Sequence, residues 1–400
     1  MDLNETVSAE RVHIGFFGRR NAGKSSVVNA VTGQELAIVS DVKGTTTDPV
    51  KKAMELLPLG PVVIIDTPGI DDEGELGKLR IKKTMQALAI TDIAVLVVDS
   101  IVGLTEDDKH ILNTVQQRNI PHIIVYNKAD LLDSIPTQTD NSIYVSAKEH
   151  INIEALKEML GAMKAGENSR CIVSDLLNKG DTVVLVIPID ESAPKGRLIL
   201  PQQLTIRDLL DSGCTAVVCR DIELESTLKG LSSKPKMVIT DSQAFGRVAR
   251  ITPDNIPLTS FSILFARYKG DLAELVKGAA VLAKLKDGDK VLISEGCTHH
   301  RQCGDIGTVK LPRWIKEYTG CTPDFSFSSG TQFTETPEDF KLIIHCGGCM
   351  LNAQEMKFRI GCAVASDTPI VNYGIAIAHM NGILRRSLEI FPEVLKLLDE

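Results

Sequence analysis

The sequence predicts an α/β chain: a first domain built on a parallel sheet, followed by two smaller α/β domains. Three observations predict it. Over residues 11–165, short apolar runs alternate with amphipathic stretches, which argues for a parallel sheet covered by helices on both faces. The alternation resumes near Ile172, after Gly166-Glu167-Asn168-Ser169, a stretch of linker composition. At 400 residues, the chain is also too long for one ordinary hydrophobic core, so two or three domains are expected.

Each element has its own signal. In the first domain, 1–168, residues 12–17, 62–66, 93–99 and 122–127 read as buried strands. Residues 24–31 and 107–117 read as helices, and 153–163 as the closing helix. In the second domain, 172–259, residues 182–187, 216–220 and 237–241 read as strands and 204–210 as a helix. In the third, 260–400, residues 290–294 and 341–344 read as strands, each leading directly into half of a cysteine set. Residues 391–398 carry apolar groups at helical spacing and read as a packing helix.

The totals exclude several classes. The net charge is −8 and no dense basic run occurs in the last domain, which argues against a protein whose main task is holding nucleic acid. No run approaches 18 apolar residues, so no transmembrane helix is expected. Met1-Asp2-Leu3-Asn4-Glu5 lacks the basic start and apolar stretch of a signal peptide. Together with nine cysteines, this points to a reducing compartment, the cytoplasm, where thiols stay free for metals or catalysis.

The first strand runs into Gly18-Arg19-Arg20-Asn21-Ala22-Gly23-Lys24-Ser25, which fits G-x-x-x-x-G-K-[ST] in the strand-to-helix context that a phosphate-binding loop requires. The glycines let backbone N–H groups approach phosphate oxygens, and Asn21, Ala22, Gly23, Lys24, Ser25 and Ser26 form the expected cradle. Lys24 carries charge to the β- and γ-phosphates, and Ser25 offers its hydroxyl to Mg²⁺. Asp66-Thr67-Pro68-Gly69 ends the next strand, with Asp66 placed to hold Mg²⁺ through water and Gly69 to sense the γ-phosphate. Asn127-Lys128-Ala129-Asp130 ends a later strand. A carboxylate there accepts from both N1–H and the 2-amino group of guanine, and adenine would leave it unpaired, a discrimination on the order of 10⁴-fold. Ser146-Ala147-Lys148 supplies a backbone contact to the guanine carbonyl. Four motifs in this order point to GTP.

Residues 11–165 resemble the TrmE–Era group of GTPases. The resemblance implies that Asn21 helps bind a K⁺ ion where an arginine finger would otherwise sit. It also implies that Gly44-Thr45-Thr46-Thr47-Asp48 is switch I, with Thr46 on Mg²⁺. Ile70 stands where a Ras-like enzyme has its water-positioning Gln, and Glu75 is the analogous candidate here. Unaided GTPases turn over near ~10⁻⁴–10⁻³ s⁻¹, and an arginine finger adds about 10³–10⁵. The expectation is slow hydrolysis, raised by K⁺, with Lys24, Thr46 and Gly69 as catalytic residues.

The last domain holds Cys297-Thr298-His299 and, after a gap of 45 residues, His345-Cys346-Gly347-Gly348-Cys349. Thiolates are soft donors that suit iron–sulfur clusters or zinc. On pattern alone three readings stand: a redox pair, a Cys₃His zinc site, or a [4Fe–4S] cluster with one exchangeable iron. Cys171, Cys214, Cys219, Cys321 and Cys362 read as small core residues. Cys-x-His, a spacer, then His-Cys-x-x-Cys, downstream of such a GTPase domain, resembles the [FeFe]-hydrogenase maturation GTPases. Residues 187–197 and the three-domain order share that resemblance.

It implies a [4Fe–4S] cluster on Cys297, Cys346 and Cys349, with His299, His345 or Asp190 as candidates for the fourth position. It also implies a homodimer formed through the middle domain. The chain would be a scaffold that receives a transient di-iron precursor from radical-SAM maturases and passes it to apo-[FeFe]-hydrogenase. The competing reading is an RNA-related GTPase of the TrmE–Era kind with a structural zinc.

Overall fold

The computed structural model describes residues 8–34, 49–69, 75–137, 139–165, 171–189, 198–296, 305–330 and 333–399. The chain divides into two compact units, Met1–Ser169 and Arg170–Glu400.

The first unit is a six-stranded sheet in the order β2-β3-β1-β4-β5-β6. Its strands are β1 (Val12–Phe17), β2 (Val50–Leu56), β3 (Gly60–Asp66), β4 (Ile93–Asp99), β5 (His122–Asn127) and β6 (Ser142–Tyr144). All pairs are parallel except β2 with β3. The expected strands 12–17, 93–99 and 122–127 match in both bounds. Alternation along them sends Ile14, Phe16, Ile93, Val95 and Val97 to one face, under helices Lys24–Thr32 and Ile153–Ala165. Phe17, Ala94, Leu96 and Val98 go to the other, under Glu75–Ala89 and Glu106–Gln117. β2 was not expected. It is an edge strand with a single buried residue, Leu56, so its sequence lacks a core signature.

The second unit holds two four-stranded, all-parallel sheets. One has the order β10-β9-β7-β8, from β7 (Thr182–Val186), β8 (Thr215–Cys219), β9 (Met237–Thr240) and β10 (Leu258–Ser260). The other has the order β12-β11-β13-β14, from β11 (Lys290–Glu295), β12 (Asp324–Ser329), β13 (Leu342–His345) and β14 (Ile370–Asn372). Their buried apolar residues form one continuous cluster from Ile172 to Phe391. The boundary drawn at 259 from the sequence falls inside β10, and helix Phe261–Lys269 continues from that strand.

Polar contacts also tie the two sheets together. Half-buried Arg386 donates to the carbonyls of Ala249 (2.8 Å), Thr252 (2.7 Å) and Pro253 (2.9 Å), satisfying the carboxyl end of helix Phe245–Ile251. The expected helix 391–398 is a short turn, Pro392–Leu395, continued as a 3₁₀ segment, Lys396–Leu398. Among the described residues, no helix is long and apolar enough to cross a membrane.

Helix Leu272–Ala279 lies directly on the backbone of β14, and Gly278 makes that approach possible. A Cβ at Gly278 would stand 2.0 Å from the carbonyl oxygen of Ile370. Gly278→Ala should therefore force helix and strand apart. The expected loss is about 1–3 kcal/mol, measured by chemical denaturation of the full chain, with the first unit's nucleotide binding unchanged.

Candidate functional site

The phosphate loop leaves β1 through Gly18 and enters helix Lys24–Thr32 through Gly23. Both glycines have positive φ, at 137° and 85°. Neither position tolerates a side chain. A Cβ at Gly18 would meet the Val97 carbonyl at 2.1 Å, and one at Gly23 the Asn127 amide at 2.2 Å. Asn21 is exposed and also left-handed, with φ 60°. Ala22 is buried. Lys24 is buried, and its Nζ donates to the carbonyls of Gly18 and Arg19, both at 3.0 Å, so the ammonium is held inside the loop it serves.

β3 delivers Asp66 to the start of that helix. Ser25 Oγ donates to Asp66 Oδ2 at 2.9 Å. Burial raises the Asp66 pKa, against the Ser25 hydrogen bond and the Lys24 charge. Asp66 Oδ1 is buried with no hydrogen-bond partner. A carboxylate oxygen left in that condition beside a hydroxyl is a hard-donor pair, and it fits Mg²⁺ or a water of its shell. Gly69 passes so close to the loop that a Cβ would lie 2.9 Å from the Arg20 amide nitrogen. Ser26 is half-buried on the helix.

The base-binding motifs converge through Asn127, which is 3% exposed. Its Nδ2 donates to the Ala22 carbonyl and its Oδ1 accepts from the Ala147 N–H, both at 3.1 Å. One amide thus fastens the phosphate loop to the 146–148 loop. The Ala147 N–H belongs to the Ser146-Ala147-Lys148 stretch expected to contact the guanine carbonyl, and here it is engaged by Asn127. Lys128 has φ 66°, and its Nζ donates to Asp99 Oδ2 at 2.6 Å, which helps hold the Asp99 carboxyl below its ordinary pKa. Ser146 is fully buried and accepts from the Glu149 N–H at 3.1 Å, while Lys148 is exposed. Asp130 follows in the 3₁₀ turn Ala129–Leu131, half-buried.

In the second unit, β11 and β13 are neighbours, with Ser294 opposite His345. That register brings Gly296, the residue before Cys297, and Cys346 to the carboxyl edge of one sheet. The Gly296 N–H donates to Cys346 Sγ at 3.1 Å, so the residue before Cys297 already touches Cys346. Burial pushes the Cys346 thiol up to about 11 and raises that of Cys349, while Lys269 opposes the shift at Cys349. Gly348 turns the loop with φ 62°. Two half-buried cysteines, one with its sulfur met by the Gly296 N–H, fit a soft metal or an iron–sulfur cluster, whose sulfurs accept such hydrogen bonds.

His345 is committed elsewhere. It is fully buried, its Nδ1 lies 2.7 Å from the Cys346 carbonyl and its Nε2 3.0 Å from Arg359 Nη1. The carbonyl requires a proton on Nδ1 and the guanidinium requires a lone pair on Nε2, which fixes the neutral tautomer. Burial and Arg359 together lower its pKa to about 3. With both nitrogens engaged, this His345 has no lone pair to give a metal, contrary to its place among the candidate ligands.

Cys297, His299, Asp190, Thr46 and Ile70 lie outside the described residues, as does the side chain of Glu75. Among the described residues, no group of three or more His, Cys, Asp or Glu is arranged to hold a metal ion. Cys214 and Cys219 are buried as expected, whereas Cys171, Cys321 and Cys362 are only half-buried.

Sequence reasoning missed two buried cations beside the cysteine loop. Arg359 is 1% exposed; besides His345 it donates to Glu355 Oε1 at 2.7 Å and the Gly330 carbonyl at 2.8 Å. Lys269 is 2% exposed, and its Nζ donates to the carbonyls of Leu351 (2.9 Å) and Cys349 (3.3 Å). The legible signal for Arg359 was Glu355 four residues before it on the same helix.

Comparison with known proteins divides along the same lines. Residues 13–128 match the family model of the 50S ribosome-binding GTPases. Among curated relatives, the tRNA modification GTPase MnmE of Chromobacterium violaceum is 36% identical over 167 residues, covering 40% of this chain and 37% of that protein. The GTPase Der of Wolinella succinogenes is 34% identical over 185 residues, covering 42% and 39%. The chain thus spans less than two fifths of the length of these relatives. A solved structure of Era in complex with MgGDPNP and a segment of 16S ribosomal RNA aligns with 52% of this chain and 93% of its own, at 18% identity and a TM-score of 0.34.

The second unit matches two other models. Residues 172–270 match the hydrogen maturase F dimerization domain and residues 273–390 the hydrogen maturase F tetramerization domain. The last domain, expected to bind a cluster, thus matches a model described by assembly. With a GTPase domain followed by both of these maturase-specific domains, the chain belongs to the hydrogen maturase F family.

Proposed function

We propose that this chain is a GTP-hydrolysing scaffold in [FeFe]-hydrogenase maturation, carrying a [4Fe–4S] cluster on Cys297, Cys346 and Cys349. It accepts a di-iron precursor from radical-SAM maturases and delivers it to apo-hydrogenase. The observation that carries the reading is the Gly296–Cys346 hydrogen bond. It joins the residue before Cys297 to Cys346, which supports that reading in a chain that also has the maturase-specific domains. With His345 engaged by Arg359, the fourth position falls to His299, Asp190 or the cargo itself. Oligomerisation of copies through the second unit, as dimers and tetramers, follows from the descriptions of its domains.

In the first unit, GTP is held by the loop amides and by Lys24, whose ammonium moves from the Gly18 and Arg19 carbonyls to the phosphates. Mg²⁺ neutralises phosphate charge when bound, held by Ser25, by Asp66 through water, and by Thr46. Asn21 serves K⁺, and Gly69 reports the γ-phosphate. Without a glutamine at position 70, hydrolysis is slow and K⁺-stimulated, suited to a timer rather than to turnover.

Three tests follow. Reconstitution of the full chain with iron and sulfide under argon should give a reduced [4Fe–4S] EPR signal that Cys346→Ser loses. One tight zinc per chain and no such signal would favour the RNA-related GTPase instead. Lys24→Ala should abolish GTP hydrolysis while leaving that EPR signal intact; loss of both would mean that the nucleotide and metal sites are not separable. Asp130→Asn should weaken GTP by roughly 10³-fold or more and gain affinity for xanthosine triphosphate. The amide can accept from N1–H and donate to the 2-oxo group, whereas unchanged GTP affinity would remove Asp130 from the base site.

A further inference from the structure

The last sheet, in the order β12-β11-β13-β14, has two edges, and the fold treats them differently. β14 is buried throughout, and helix Leu272–Ala279 lies against it, with Gly278 at the Ile370 backbone. In β12, by contrast, Asp324, Ser326, Phe327 and Ser329 are exposed, Phe327 by 43%. Among the described residues, no strand pairs with the outer side of β12. The middle sheet repeats the division: β10 is buried throughout, whereas Thr215 and Val218 of β8 are exposed. Each sheet of the second unit thus has one covered edge and one open edge.

The groups that β12 presents outward follow from its ladder. The Asp324 N–H donates to the Asp289 carbonyl at 2.9 Å, so the Asp324 backbone faces β11. Backbone groups alternate sides along a strand, so Ser326 and Ser328 face β11 as well. Phe325, Phe327 and Ser329 turn their N–H and C=O groups outward. Ser328 Oγ donates to Ser294 Oγ at 3.0 Å, which fixes β12 on its neighbour. Exposed edges are ordinarily blunted by lysine, proline or a bulge. Asp324-Phe325-Ser326-Phe327-Ser328-Ser329 contains neither residue, and its register with β11 runs unbroken from Lys290–Asp324 to Glu295–Ser329.

We propose that the outer edge of β12 is the surface on which a second copy of this chain docks, β12 against β12, to build the tetramer from dimers. The inference rests on the oligomer reading above, and β12 lies within the 273–390 region that carries the tetramerization description. A two-fold axis makes such a contact self-complementary. It also makes the pairing antiparallel, because a parallel ladder needs a one-residue offset between the strands that two-fold symmetry forbids. The register with the most bonds sets Phe327 opposite its own copy on the axis, with outward-facing Phe325 and Ser329 on either side. Two sheets then become one. Antiparallel pairing sends the carboxyl edges of the two copies in opposite directions, so the place where Gly296 meets Cys346 stays with a single copy.

The test is sedimentation velocity of the full chain over a concentration series. Wild type should show dimers passing to tetramers. Phe327→Pro removes an outward N–H and leaves the β11 ladder intact, and Phe327→Lys places a charge on the axis. Each should weaken the dimer-to-tetramer step by about tenfold or more, with the dimer, the circular dichroism spectrum, GTP binding and iron uptake kept. If Phe327→Pro does not fold, Phe327→Lys carries the same expectation. Phe327→Tyr should still form tetramers. Wild-type tetramer formation in both the proline and the lysine variants overturns the edge contact alone. A wild-type chain that stops at the dimer at every concentration overturns the edge contact and the tetramer reading together, and leaves the cluster reading to its own EPR test.

Discussion

A parallel strand delivers every chain that leaves it to the same edge of its sheet, and both sites of this protein depend on that constraint. In the first unit, β1, β3 and β5 run the same way, so Gly18–Ser25, Asp66–Gly69 and Asn127–Asp130 emerge side by side. In the second, β11 and β13 are neighbours in parallel register, so Gly296 meets Cys346 although 50 residues separate them. No hairpin could do this, because an antiparallel pair sends its loops to opposite ends. Convergence then has to be locked, and a single buried side chain does most of that in the first unit. Asn127 has one donor and one acceptor on neighbouring loops, and both are satisfied inside the protein.

The sheet interiors were legible in the sequence because strands covered on both faces read as unbroken apolar runs. That is why residues 12–17, 93–99 and 122–127 could be bounded without a structure. The edge strands were not. Val50–Leu56 and Asp324–Ser329 are largely solvent-facing, so burial left no imprint on their residues. The phosphate loop and the base motifs were legible because each is a local pattern with its own chemistry. The surroundings of the cysteines were not, because they are assembled across distance. Lys269 meets Cys349 across 80 residues and Arg359 meets His345 across 14. A motif shows that a histidine stands beside a cysteine; only packing shows where its two nitrogens point.

The boundary between the last two domains shows the same limit. Composition shifts near residue 260, yet β10 and the helix after it run through that point, and one apolar cluster serves both sheets. Polar side chains along the seam have specific partners. Arg386 closes a helix end with three carbonyls, and Arg359 is held by a carboxylate, a ring nitrogen and a carbonyl. Contacts of this kind add little net stability, since desolvation offsets most of the gain, but each admits only one arrangement of its neighbours. They fix how the two sheets meet more than how tightly.

The hydrogen bond from Gly296 to the Cys346 sulfur has a further consequence. In small zinc-finger domains the metal is what brings distant ligands together, so chelation free energy is folding free energy and removing the ion unfolds the chain. In this protein the parallel register of β11 with β13 in an apolar sheet sets the approach of Gly296 to Cys346, so that contact is a property of the core. The entropy of closing that large ring is spent in forming the core. Closure of that long loop is carried by the burial of apolar strands, not by a chelate.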